Sequence, residues 1–184
     1  MKNLTKILIL FFVCAAAIYS QDDKVTKAPG YIEFGDLSSL ESGEMVAEVL
    51  LEKNLLKMVS KFTKNNEPDV SALIGGIDLI KVNVYEVTDA NKQSILKKQK
   101  EIEKEITNKN WDRIVKVRDK GENANVYIKT LGEDDIVGLL VMTMDDEGEA
   151  AFVNIVGKIN LETIGRLSEK FDIPGLDDIN GKKE

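Results

Sequence analysis

From Asn123 to Ile159 apolar and polar positions set out three strands, NANVYIKT, IVGLLVMTM and AAFVNIVGKI, joined by two acidic, glycine-containing turns. The middle run, Ile136 to Met144, is apolar or glycine at eight of nine positions. That pattern predicts a strand buried on both faces. Its neighbours alternate, which predicts strands with one wet face. Two earlier segments also alternate: Ile77 to Val87 (IDLIKVNVYEV) and Trp111 to Asp119 (WDRIVKVRD). Met45 to Leu51 (MVAEVLL) fits either a strand or the start of a helix, and Phe34 to Leu40 carries no decisive pattern.

Elsewhere the period lengthens. Leu51, Leu55, Met58, Val59 and Phe62 recur at helical spacing, with Lys53, Lys57, Lys61 and Lys64 off the stripe. Val70, Leu73, Ile74 and Ile77 form a second, short stripe after Pro68, ended by Gly75-Gly76. Thr88-Asp89 predicts the cap of a long helix reaching about Thr107. Its apolar stripe is narrow, only Ile95, Leu96, Ile102 and Ile106, so it predicts a helix lying on a surface. Asn160 opens a last predicted helix, with Leu161, Ile164, Leu167 and Phe171 on one face. The order predicts an α+β fold: a mainly antiparallel sheet of five or six strands with helices packed on one face.

The N-terminus follows a different logic. Lys2 and Lys6 precede an apolar run from Ile7 to Ile18, too short for the roughly 20 residues of a membrane span. Residues 1–20 therefore read as a secretory signal, with exit after Ser20 or after Ala17. Cys14 falls inside the run behind Val13, which is not small, so a lipid anchor at Cys14 is disfavoured. Residues 21–33 read as a linker, 34–172 as a single domain and 173–184 as a polar, frayed tail. The expected location is outside the cytoplasm, periplasmic or secreted, with the membrane met only through the transient signal.

Charge and composition then remove chemistries. The net charge is −7, which disfavours nucleic acid and anionic membrane surfaces as partners. Histidine is absent and Cys14 is the only cysteine. The mature chain thus lacks the commonest general base, any Ser-His or Cys-His pair, and thiolate metal sites. The acidic clusters at Glu133-Asp134-Asp135, Asp145-Asp146-Glu147 and Asp177-Asp178 read as solvated turns. Asp178-Ile179-Asn180-Gly181 matches the centre of a calcium loop, but Leu176 replaces its first acid and the distal glutamate is missing. No phosphate-cradling glycine loop or nucleophile motif occurs. No catalytic residue, cofactor or metal is expected.

One sheet face is a candidate site. Asn83-Val84-Tyr85 recurs as Asn125-Val126-Tyr127. If the valines point to the helices, Asn83, Tyr85, Asn125 and Tyr127 share the opposite face, and Phe152 and Asn154 join them. Such a face is a candidate surface for binding a partner protein; the alternative is that tyrosine favours strands in general.

The strings PGYIEFGDL, LIKVNVYEV, ENANVYIKT and GLLVMTMDDEGEAAFVNIVGKINLETIGRL resemble domain-of-unknown-function family 4252, over roughly Pro29 to Phe171. The matching motifs are strand cores and a strand-to-helix junction, with no catalytic residues among them. The resemblance implies an exported bacterial envelope protein without established activity, and a link to envelope regulation. The first expectation is therefore a non-enzymatic interaction or regulatory module with an envelope protein as partner. A carrier of a hydrophobic ligand between sheet and helices is the alternative, and a carboxylate-dependent hydrolase the third.

Overall fold

A computed structural model describes residues 23–35, 37, 40, 45–64, 71, 74–119, 121–132, 135–145 and 148–159. The elements are α1 (Asp23–Thr26), β1 (Met45–Glu52), α2 (Lys53–Thr63), β2 (Ile77–Glu86), α3 (Lys92–Thr107), β3 (Asp112–Asp119), β4 (Glu122–Leu131), β5 (Asp135–Asp145) and β6 (Glu149–Ile159). The six strands form one antiparallel sheet in the order β1-β2-β6-β5-β4-β3. The hairpins β3–β4, β4–β5 and β5–β6 are sequential neighbours, and β2 closes against β6. The ambiguous Met45 segment is a strand, and it occupies one edge. The expected last helix, the signal and the tail lie outside the described residues.

β5 sits in the middle and, as expected, is buried on both faces. Leu140, Met142 and Met144 enter one apolar cluster, and Leu139 and Val141 the other. Its neighbours differ from expectation: Ala124–Tyr127 of β4 and Asn154–Gly157 of β6 are buried on both faces too. The physical reason also corrects the expectation of helices on one face. Ile95, Ile102 and Ile106 of α3 join Tyr85, Tyr127, Leu140, Met142 and Phe152. Leu56 of α2 joins Val126, Leu139, Val141 and Ile155 on the reverse face. A sheet apolar on both faces has to be covered twice. Each fully buried isoleucine of α3 contributes roughly 1.5–3 kcal/mol of transfer free energy.

α3 keeps the narrow buried stripe its sequence predicts. Lysine and glutamate pairs line its wet side, among them Lys97–Glu101 at 3.9 Å and Lys109–Glu105 at 2.6 Å. Its start differs slightly from expectation. Thr88 and Asn91 bond each other: Asn91 Oδ1 accepts from the Thr88 amide (2.8 Å) and Thr88 Oγ1 accepts from the Asn91 amide (3.3 Å). The buried Asn91 Nδ2 then donates to the carbonyls of Glu86 (2.8 Å) and Leu40 (3.0 Å), tying the helix entry to the N-terminal segment.

That segment corrects the domain start. Residues 30–34, placed mostly in the expected linker, run across the α3-side face of the sheet. Ile32 and Phe34 are fully buried there. The Phe34 ring meets Phe152 at 5.9 Å between centroids, and Tyr85 meets Phe152 edge-on at 6.4 Å. The alternation of Ile32 and Phe34 is too short to register as a strand by period alone.

Candidate interaction surface

Strand register places the six expected residues. Asn83 pairs with Phe152, Phe152 with Met142, and Met142 with Asn125. One row along, Lys81 pairs with Asn154, Asn154 with Leu140, and Leu140 with Tyr127. Tyr85 lies two residues beyond Asn83 on the same side. The six therefore do share a face. That face is not a free one: Asn83, Tyr85, Asn125, Tyr127, Phe152 and Asn154 are all buried. The expected orientation is reversed, because α3 covers the tyrosine side and Val126 points to the opposite cluster. Burying large aromatic rings removes more apolar area from water than burying the intervening valines.

Within this layer the polar atoms serve as clips. Asn154 Oδ1 accepts from the Ile32 amide at 2.9 Å. Its Nδ2 donates to the Gly30 carbonyl at 3.0 Å and the Leu139 carbonyl at 3.2 Å. Lys81 Nζ sits 3.2 Å from Glu33 Oε1 and 5.0 Å above the Phe34 ring, and Tyr31 Oη donates to Glu33 at 2.7 Å. Partial burial would raise the Glu33 carboxyl, yet the Tyr31 bond, the Lys81 charge and the Gly35 amide together hold it below its ordinary value. Asn83 Oδ1, Asn125 Oδ1 and Trp111 Nε1 are buried without a protein partner.

Tyr127 Oη donates to Glu103 of α3 at 2.6 Å. Burial, followed by the Glu103 bond and charge, pushes the Tyr127 phenol up to about 12. The unfolded phenol ionises near pH 10, so the unfolded state loses its proton first as pH rises. The stabilisation is complete below pH ~10 and fades between about 10 and 12, by on the order of 2 kcal/mol. Thermal midpoints measured across that range are expected to fall more steeply for wild type than for Tyr127→Phe; parallel curves would contradict the coupling.

The free apolar surface lies elsewhere, at the β1 edge. β1 pairs only with β2, so its outer backbone groups face no strand among the described residues. Val49 is 39% exposed and Leu50 47%. The opposite edge, β3 (DRIVKVRD), carries charge at five of eight positions, the usual protection against unwanted pairing. β1 (MVAEVLLE) has neither lysine nor proline.

α2 extends this surface. Successive residues turn by about 100°, so Leu56, Val59, Ser60 and Thr63 form one side. Leu56 enters the core, and Ser60 Oγ lies 3.0 Å from the Ser71 carbonyl. Lys53, at the edge of that side, pairs with Asp78 at 2.5 Å. Ser71 precedes β2 and Asp78 lies at its start, so both mark the β2 side of the helix. The flank of α2 turned away from them carries Leu55, Met58 and Phe62, exposed by 41%, 53% and 77%. It therefore overhangs the open side of β1. Lys57, Lys61 and Lys64 project on a third side, roughly 140° round the helix from the apolar flank.

Sequence reasoning grouped Leu55, Met58 and Phe62 with Leu51 and Val59 in one apolar stripe, without saying which of them meet the core. The signal it could have used is width: with Leu56, the apolar arc of α2 is broader than one sheet contact can cover. Among the described residues no group of three or more His, Cys, Asp or Glu is arranged to hold a metal, and no helix is long and apolar enough to cross a membrane.

The architecture defines the class: an α+β protein built on one six-stranded antiparallel sheet with helices on both faces. The family model described as Domain of unknown function (DUF4252) matches residues 40–167. The chain belongs to that family. Neither a curated protein nor a solved structure matches it.

Proposed function

We propose that this chain is an exported, non-enzymatic protein-interaction module of the bacterial envelope, and that the β1–α2 edge is its working surface. One observation carries the reading: the β1 edge, without lysine or proline and with Val49 and Leu50 exposed, runs directly into α2, whose flank Leu55, Met58 and Phe62 is exposed. Large apolar side chains on a monomer's surface mark a contact site when they gather in one patch. The patch joins an edge able to accept a further strand, so backbone bonds and side-chain contacts act together. The signal-like pattern of residues 1–20 supports export. The tyrosine–asparagine face is withdrawn from the reading, since α3 covers it.

The test is cross-linked capture from fractionated cells. Wild type is expected in the envelope or secreted fraction, shortened near residue 20, together with a bound protein. Phe62→Glu is expected to lower that capture at least tenfold, whereas Lys57→Glu, on the third side of α2, leaves it unchanged. Equal capture by all three chains would defeat the surface assignment, and full-length chain confined to the cytosol would defeat export.

A further inference from the structure

We infer that the β1–α2 edge is occupied by a second copy of this chain, joined across a two-fold axis at Val49. The inference rests on the reading of this edge as the working surface and names its partner.

β1 is bulged between Met45 and Ala47, so its regular part, Ala47 to Glu52, runs about 20 Å, and this is the part that pairs with another copy of itself. In an antiparallel pair, directly opposite residues share a sheet face, so a two-fold axis passes through one residue of β1. Centring the pair on Glu48 would set that carboxylate against its own counterpart. Centring it on Leu50 would set Glu48 against Glu52. Like charges directly opposite are destabilising. Centring on Val49 avoids both: Val49 faces its counterpart, Glu48 faces Leu50, and Ala47 faces Leu51. Val49 is also half-exposed and apolar, the character needed on a symmetry axis.

The same operation completes α2. Both copies then place α2 on the same face of one continuous sheet, one helix on each side of the seam. Leu55, Met58 and Phe62, which overhang the open side of β1 in a single copy, meet their equivalents above that seam. A closed two-fold contact of this kind uses the same patch twice and leaves no further edge of the same kind open. The remaining edges of the joined sheet are the charge-guarded β3 strands. An anionic lipid surface suits the patch less well. Lys57, Lys61 and Lys64 project away from the apolar flank, and a bilayer offers no strand to the outer backbone groups of β1.

Sedimentation of the purified chain, from roughly micromolar to several hundred micromolar, tests the inference. Wild type is expected to reach twice the monomer mass. Val49→Lys and Val49→Glu place like charges together on the axis, and each is expected to weaken association at least tenfold. An equimolar mixture of the two is expected to restore the doubled mass, because opposite charges then meet. Leu50→Lys faces Glu48 and is expected to retain the dimer. Far-UV circular dichroism and thermal midpoints verify that each variant is folded. A wild type that stays monomeric throughout would overturn the inference. So would equal behaviour of Val49→Lys and Leu50→Lys, or a monomer that floats with phosphatidylglycerol vesicles. A monomer that still captures an envelope protein, and loses it on Phe62→Glu, would overturn the dimer while leaving the interaction module standing.

Discussion

Replacing Asn154 by leucine is expected to remove about 3–5 kcal/mol of stability, a large share of the roughly 5–15 kcal/mol that folded domains possess. Leucine keeps the branching of asparagine at Cγ but is larger, so overpacking adds to the loss of the polar atoms. Three bonds vanish together: from the Ile32 amide, and to the Gly30 and Leu139 carbonyls. Asn154 is completely buried, so water cannot take its place there. Each buried group left without a partner costs about 1–3 kcal/mol. Leu139 loses least, because a carbonyl in the sheet can keep its ladder bond. Ile32 and Gly30 have no ladder to fall back on, and residues 30–34 lose their anchor to β6. Urea unfolding measures this. The midpoint is expected to fall, and the slope to fall with it if Ile32 and Phe34 are already exposed in the folded variant. Asn154→Asp separates donor from acceptor. It keeps the acceptor for Ile32 but loses both donated bonds and buries a carboxylate, so it is expected to be at least as destabilising as leucine. A loss below about 1 kcal/mol for leucine would mean that the segment is held by Phe34 packing alone.

This clip also marks where sequence stops being informative. The period-2 alternation of β2 and β3 and the solid apolar run of β5 were legible because they reflect local burial, which each strand writes into its own residues; the alternation read for β4 did not reveal that Ala124–Tyr127 is buried on both faces. The narrow stripe of α3 was legible for the same reason. Asn154 was not. An asparagine in a strand reads as a wet-face residue, and its partners Gly30 and Ile32 lie more than 120 positions away. The sharing of one face by Asn83, Tyr85, Asn125 and Tyr127 followed from parity, yet parity cannot say which face a helix will cover. That choice was made by Ile95, Ile102 and Ile106 docking on aromatic rings. The exposed flank of α2 was not legible for a related reason. Helical spacing groups Leu55, Met58 and Phe62 with Val59 in one stripe, and only the folded chain shows that Leu56 enters the core while Leu55, Met58 and Phe62 stay exposed.

Gly138→Ala is the second change expected to have a large effect, on the order of 2–4 kcal/mol. Gly138 lies in β5 beneath the crossing of residue 30. A Cβ built there would stand 2.6 Å from the Gly30 Cα and 2.8 Å from the Trp111 ring. The crossing is tight from the other side as well, because a Cβ on Gly30 would collide with the Val137 carbonyl. Neither neighbour of Gly138 yields easily. Gly30 is backbone tied to Asn154, and Trp111 is buried beside it. The glycine is needed for room, which distinguishes it from Gly132, where φ is +72° and nothing lies within 4 Å of an added Cβ. Gly132→Ala therefore measures left-handed backbone strain alone, about 1 kcal/mol, and serves as the reference. Trp111→Phe separates the two obstacles. Combined with Gly138→Ala it removes the ring contact but leaves the Gly30 backbone in place, so it is expected to recover only part of the loss in a double-mutant cycle. Full recovery would put the constraint in the tryptophan and leave the backbone crossing unimportant. A cost no greater than that of Gly132→Ala would mean that residue 30 can lift from the sheet without penalty, in conflict with the Asn154 bonds to the Gly30 carbonyl and the Ile32 amide.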